Sequence, residues 1–313
     1  MKPLRSAAPL LIAIAILLAA FRYWVPTFLA PNNLIDLVQQ ISINAILAFG
    51  LTLVILIGGI DLSVGAVVAL VGSTAAYCLA AAVPVPFAIL AGLAVAAIFG
   101  VLHGSLATRT PMPPFIITLA TMLVARGLAL RYNDGRPMPI ASSNESFLAL
   151  GNGRVLGDWL PVPVIVMLAV FAVLAVLLHR TRFGQHLYAI GGNREAAEYT
   201  GIRIGRHEIA AYSLGSLCAG LAGLIHCSQL YSAEPGSGQG FELNAIAAVV
   251  VGGTSFTGGR GTMVGTLLGA IIIGILDKGL NQAGVHFSTQ SIVKGAVILL
   301  AVYLDVRRRK SRG

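Results

Sequence analysis

The 313-residue chain is 57% hydrophobic and only 11% charged, with a formal net charge of +9. A soluble domain carries about 25% charged residues, so this composition excludes a water-soluble core and makes the bilayer the solvent. In lipid every backbone group must be paired internally, and apolar runs near 20 residues, rather than ten-residue alternating strands, select helices over a barrel.

The expected fold is therefore an all-α polytopic membrane protein, residues 1–313 forming a single transmembrane domain. Ten spans are expected at 8–29, 34–57, 63–83, 85–108, 114–132, 161–179, 208–232, 241–257, 262–282 and 289–306. The run at 241–257 is short and contains Glu242, so it either crosses or re-enters. Basic residues sit in short segments between the runs, which sets membrane orientation rather than marking a nucleic-acid binder. With ten spans, fourteen of the 21 Lys and Arg residues fall on the face of 180–207 and of the tail with Arg307, Arg308, Arg309, Lys310 and Arg312, and four on the other. Both termini are expected to be cytoplasmic. The N-terminal run is read as a first span rather than a signal peptide, because no clear small-residue cleavage site follows it.

Residues 51–70 join two apolar runs through a polar, glycine-rich break containing Gly58, Gly59, Asp61, Ser63 and Gly65. A lone carboxylate there needs a cavity, an interface or an ion pair. The break is either a short interfacial turn or part of the mechanism. Arg126, near the middle of the fifth run, must pair or face water; Asp61 and Asp277 are its candidate partners, with a polar lining for a solute path as the alternative. Asn44, with two donors and an acceptor, suits a pathway as well as a core hydrogen bond.

Residues 133–160 read as turn and loop on the external side. Pro111, Pro113 and Pro114 fix the entry to the fifth span. On the internal side, Arg180 to Gly184 break a helix and Gly191, Gly192 and Asn193 form a turn. Residues 194–199 form a short helix with Asn193 as N-cap and Gly201 as terminator. Gly100 and Gly104, Ala219 and Gly223, and Gly265 and Gly269 give small faces for helix packing. Cys78, Cys218 and Cys227 lie in apolar runs as packing residues. Shifting the chain by 194 places Gly58, Gly59 and Gly65 on Gly252, Gly253 and Gly259, a weak internal echo of two breaks. No phosphate-binding loop, zinc-protease or nucleophile-elbow motif is present, and the six His are scattered.

Three ordered stretches go further. Gly-Gly-Ile-Asp-Leu-Ser-Val-Gly at 58–65, Thr-Arg-Phe-Gly-Gln-His-Leu-Tyr-Ala-Ile-Gly-Gly-Asn-Arg-Glu-Ala-Ala at 181–197 and Ala-Ile-Ala-Ala-Val-Val-Val-Gly-Gly-Thr-Ser at 245–255 resemble the signatures of inner-membrane permease subunits of bacterial ATP-binding-cassette importers for ribose, xylose and galactofuranose. The resemblance runs from about Asn32 to Tyr303. It implies that Arg182, Phe183, Gly184, Glu195, Ala196, Ala197 and Gly201 form a cytoplasmic coupling segment (180–207) that docks on an ATPase. Gly58, Gly59, Asp61, Ser63 and Gly65 match one signature, and Gly252, Gly253 and Thr254 another. The implied partners are a cytoplasmic ATP-binding subunit, a periplasmic solute-binding protein and a second permease subunit, alike or different. ATP and Mg would bind the partner, with no cofactor on this chain. Branched-chain amino acids are the alternative substrate within this transporter type. An ion-coupled carrier using Asp61 or Asp277 is the alternative from another class.

Overall fold

The computed structural model describes residues 2–157 and 159–310; Asp158 of the 133–160 segment and Arg312 of the basic tail lie outside them. The long helices are α1 (Lys2–Trp24), α2 (Pro31–Leu56), α3 (Val64–Ala80), α4 (Val85–Arg109), α5 (Pro114–Arg131), α7 (Val162–Arg180), α10 (Ile204–Gln229), α12 (Met263–Gln282) and α13 (Phe287–Lys310). Shorter ones are α6 (Glu145–Asn152), α8 (Arg182–Gly192), α9 (Arg194–Tyr199) and α11 (Phe241–Val251). Two antiparallel pairs of two-residue strands complete the chain, β1 (Met138–Pro139) with β4 (Ser232–Ala233) and β2 (Arg154–Val155) with β3 (Leu160–Pro161). Seven helices are long and apolar enough to cross a membrane, and three shorter apolar helices accompany them. The chain is an all-α polytopic membrane protein, and each expected span overlaps one of these ten helices.

Burial separates an inner from an outer set. On α2 the side chains of Ile46, Leu47, Phe49, Leu51, Leu53 and Leu56 are almost wholly enclosed, chiefly by α10, α11 and α12. On α1, α4, α5, α7 and α13, Ile16, Phe87, Leu123, Val173 and Leu299 stand exposed, an apolar surface that only lipid covers at no cost. Proline in the first turn starts α2, α4, α5 and α7, where its missing N–H costs nothing. Trp24, the last residue of α1, and Trp159, just before β3, are exposed.

One expectation left open is narrowed and two are corrected. The run at 241–257 holds a helix of eleven residues, α11, which is about 16 Å long against a hydrocarbon layer of about 30 Å; a Gly-rich turn follows from Gly252. Residues 133–160 are not loop throughout, because α6 buries Phe147 and is tied to the end of α10. Gly151 N–H donates to Ser228 Oγ at 2.8 Å, and Asn152 Nδ2 to the Ser228 carbonyl at 2.7 Å. Gln39 of α2 donates to the Gly151 carbonyl at 2.8 Å. The preceding helix does break, α7 ending at Arg180 with Thr181 extended, but residues 182–192 then form helix α8 through Gly184 and through Gly191 and Gly192, since Gly184, Leu187 and Ile190 share one buried face at three-residue spacing.

The small-residue faces pack as expected. A Cβ on Gly100 would lie 2.5 Å from Ser213 Cα on α10, and one on Gly104 would strike Ile209 Cα. Gly127, on the outer helix α5, meets nothing within 4 Å. Gly100→Leu is expected to lower thermal stability in detergent by about 1–3 kcal/mol through overpacking, while Gly127→Leu leaves it within about 0.5 kcal/mol; size-exclusion profiles after graded heating check both.

Candidate functional site

The three sequence motifs meet at one end of α2. Gly259 N–H donates to the Leu56 carbonyl at 2.9 Å, so the turn after α11 caps the last residue of α2. At Gly258, with φ +86°, an added Cβ would lie 2.8 Å from Leu56 O and 2.9 Å from Gly58 N. Gly191 of α8 completes the junction: a Cβ there would run into the Leu56 carbonyl and lie 2.5 Å from Gly259 N. Three backbones thus approach closer than any side chain allows. The two breaks of the internal echo are in contact with each other as well as with α8.

The neighbours of this junction are polar and tied down. Tyr188 of α8 donates to the Gly261 carbonyl at 2.7 Å, and burial pushes its phenol up to about 12, so it remains a donor at neutral pH. Ser255 N–H donates to the Arg260 carbonyl at 2.8 Å. Thr262 caps α12 by accepting from Gly265 N–H at 3.0 Å. Gly252 packs backbone to backbone on Gly265, and Thr254 is buried beside Gly261.

The first break, 57–63, carries the buried Asp61. Its Oδ1 accepts from Ser63 N–H at 2.8 Å and from Ser63 Oγ at 2.6 Å, which opens α3. Its Oδ2 faces His103 Nδ1 of α4 at 3.6 Å, both side chains fully buried. His103 Nε2 is 2.7 Å from Thr121 Oγ1 of α5, which in turn donates to the Ile117 carbonyl at 3.0 Å. Thr118 adds contacts of 3.2 Å to Leu62 N–H and to the Ile60 carbonyl. The break is therefore stitched to α4 and α5 by a carboxylate, an imidazole and two threonine hydroxyls. His103 was among the scattered histidines; its position in the middle of an apolar run was the available signal, because an imidazole there needs a polar partner.

Arg126 pairs with neither Asp61 nor Asp277. Its Nη1 donates to the carbonyls of Pro235 and Ser237 at 2.6 Å each, so it holds the segment that leads into α11. That segment also touches Gly65, which faces the Gly238 carbonyl and the Glu242 carboxylate. Asp277 instead pairs with Lys294 of α13 at 3.0 Å and accepts from Asn244 at 3.4 Å. Carbonyl oxygens of an irregular segment were not foreseeable partners, since they become free only where the backbone leaves the helix. Asn44 is half-buried, and its amide has no hydrogen-bond partner among the described residues.

At the same end of the bundle, α9 stands out from it. Asn193 Oδ1 accepts from Ala196 N–H at 3.0 Å, and Gly201, φ +80°, ends the helix. Glu195, Ala196 and Glu198 are exposed and Tyr199 is 90% exposed, with Ala197 alone turned inward. Arg182 is exposed, Phe183 stacks on His207 with ring centroids 5.8 Å apart, and Gly184 lies on the Leu178 carbonyl. Arg194 reaches back to the buried Glu208 of α10, a hydrogen bond that raises the guanidinium further above its ordinary range.

A family model described as branched-chain amino acid transport system / permease component matches residues 33–302. The chain is 50% identical over 286 residues to the ribose import permease protein RbsC of Bacillus subtilis (strain 168), covering 91% of this chain and 88% of that one. It is 45% identical over 301 residues to the ribose import permease protein RbsC of Escherichia coli (strain K12), covering 96% and 93%. To the D-allose transport system permease protein AlsC of Escherichia coli (strain K12) it is 39% identical over 294 residues, covering 93% and 89%. No solved structure matches it. With its three motifs gathered at one junction and the match running from the start of α2 into α13, the chain belongs to this family of transport-system permeases.

Proposed function

We propose that this chain is the membrane-spanning permease subunit of an ATP-driven bacterial importer, carrying a monosaccharide handed over by a periplasmic binding protein. The observation that carries the reading is the 50% identity, over nine-tenths of the chain, to a ribose import permease. The family description names branched-chain amino acids, but the relatives matched along almost the whole chain are sugar permeases, so ribose or a related sugar is the proposed substrate. The protein works as a multi-pass protein of the inner membrane. Ten spans and cytoplasmic termini, with α11 and the irregular residues 234–240 before it together making one crossing, are the topology that gives the basic segment 180–207 and the basic tail a common cytoplasmic face.

In this reading the exposed surface of α9 docks on a cytoplasmic ATPase that holds ATP and Mg, and a second permease subunit completes the path. The glycine junction explains how docking reaches the membrane: α8 lies directly on the end of α2 and on the turn between α11 and α12. Because those contacts are backbone on backbone, no flexible side chain absorbs a displacement of α8. The coupling-segment residues Arg182, Phe183, Gly184, Glu195, Ala196, Ala197 and Gly201 divide accordingly. Glu195 and Ala196 face a partner, while Gly184 and Ala197 hold the segment to the bundle.

The test is uptake of labelled D-ribose into liposomes containing the permease and its ATPase, with ribose-loaded binding protein on the other side. Uptake is expected to require ATP, to survive collapse of the proton gradient, and to ignore excess leucine; gradient dependence with no ATP requirement would overturn the reading. Glu195→Arg reverses a charge on an exposed face, and is expected to cut uptake by about tenfold or more, the scale of a like-charge contact at an interface, without altering membrane insertion. Asp61→Asn keeps an oxygen for Ser63 but loses the charge opposite His103. It is expected to cost about 1.5–3 kcal/mol of stability while ATP-dependent uptake persists above roughly a tenth of wild type, a loss of under ~1.4 kcal/mol in the barrier. An ion-coupled carrier using Asp61 would lose uptake entirely.

A further inference from the structure

The best-buried carboxylate near α9 belongs to Glu208, in the second turn of α10 and only 5% exposed. Three elements converge on it. Arg194, the first residue of α9, gives Oε1 a hydrogen bond from Nη1 and Oε2 a second from Nη2 at 3.3 Å. Thr108, in the last turn of α4, donates to Oε2 at 3.0 Å, its hydroxyl also lying 2.6 Å from the Gly104 carbonyl. The carboxylate itself rides on α10, which packs along α4 with Gly104 against Ile209 and Gly100 against Ser213. One residue before Gly104 is His103, the partner of Asp61 in the first break.

We propose that Glu208 is a positioning residue of the transport cycle, the anchor through which a displacement of α9 is passed to α4 and α10. The inference rests on the docking of α9 proposed above. Its physical basis is the asymmetry of the pair. Arg194 is half-exposed and water can solvate it, whereas Glu208 is enclosed, so releasing Arg194 would strand a buried charge. The two-point fork fixes direction as well as distance. Apart from this pair, α9 is held mainly by its Asn193 cap and by Ala197, too little to make a six-residue helix move as one body with the bundle. Beside the pair an open cleft of about 420 Å³ is lined by Glu198, Arg203 and Arg206, so neighbouring charges of both signs are present but Arg194 alone of these bonds the carboxylate.

The experiment uses the whole importer reconstituted in liposomes, with three readouts: ATPase retained on the permease, ATP hydrolysed, and D-ribose moved per ATP. Glu208→Gln removes the charge at the same size. It is expected to retain the ATPase and its hydrolysis within about twofold, while ribose per ATP falls about tenfold, the equivalent of one charge-assisted hydrogen bond. Thr108→Val keeps the ion pair but cuts the tie to α4, and a smaller fall, roughly threefold, is expected. If Glu208→Gln does not fold, Thr108→Val decides alone. Wild-type ribose per ATP in whichever variant assembles overturns the inference. Failure of the docking reading looks different: Glu195→Arg would then keep full ATPase retention and full uptake.

Discussion

The structure depends on backbone meeting backbone where α2 ends. Leu56 can offer its carbonyl to Gly259 only because Gly258 and Gly191 leave no Cβ in the way. In water such an approach would gain little, since solvent would satisfy the same groups. Enclosed among α2, α8 and the turn before α12, the carbonyl has no solvent to turn to, and leaving it unpaired costs about 1–3 kcal/mol. The junction thereby turns a weakness, three helix ends inside the membrane protein, into mutual satisfaction. It also sets the positions of everything nearby: α8 against both breaks, Tyr188 on Gly261, and α9 at the surface.

The two breaks share this junction but differ in how they are held. The first is tied laterally, through Asp61 to His103 and through Thr118 to the backbone of 60–62. The second is tied locally, by the Thr262 cap and by Gly252 on Gly265. A buried carboxylate needs polar partners held near it, because separation leaves it with an uncompensated desolvation cost. Small-residue packing has no such long-range penalty and lets helices slide. Further along, α11 and α12 are tied as well, through Asn244 to Asp277, Asp277 to Lys294 of α13, and Thr266 to Thr52 of α2, so the two breaks differ in their own fastening and not in that of the helices around them.

Much of this was legible in the residues. Apolar runs and prolines located the long helices to within a few positions, because in lipid hydrophobicity and backbone pairing leave few alternatives. Asn193 and Gly201 marked α9 because caps are local chemistry. The three motifs marked the junction but not their contact, which is tertiary. Partners were read less well for the same reason. Arg126 binds carbonyls of an irregular segment, and those have no signature; Asp61 chose a histidine two spans away over the more obvious cation. Helix α8 was missed because Gly184 and Gly191 read as punctuation, when each is there to let a neighbouring carbonyl approach.

That error has a physical lesson for residues 182–192. A glycine in a helix interior costs up to about 1 kcal/mol relative to alanine, and α8 carries Gly184, Gly191 and Gly192 within eleven residues. An isolated peptide of that sequence would have little helix, so α8 exists because it is packed on Leu178, Leu56 and Gly259. Its helicity and its contact with the bundle are one equilibrium. A segment of this kind does not slide over the bundle as an independent rod: either it moves with the ends of α2 and α11, or it loses its own fold. The very residues that weaken α8 on its own are therefore the ones that bind it to the ends of α2 and α11.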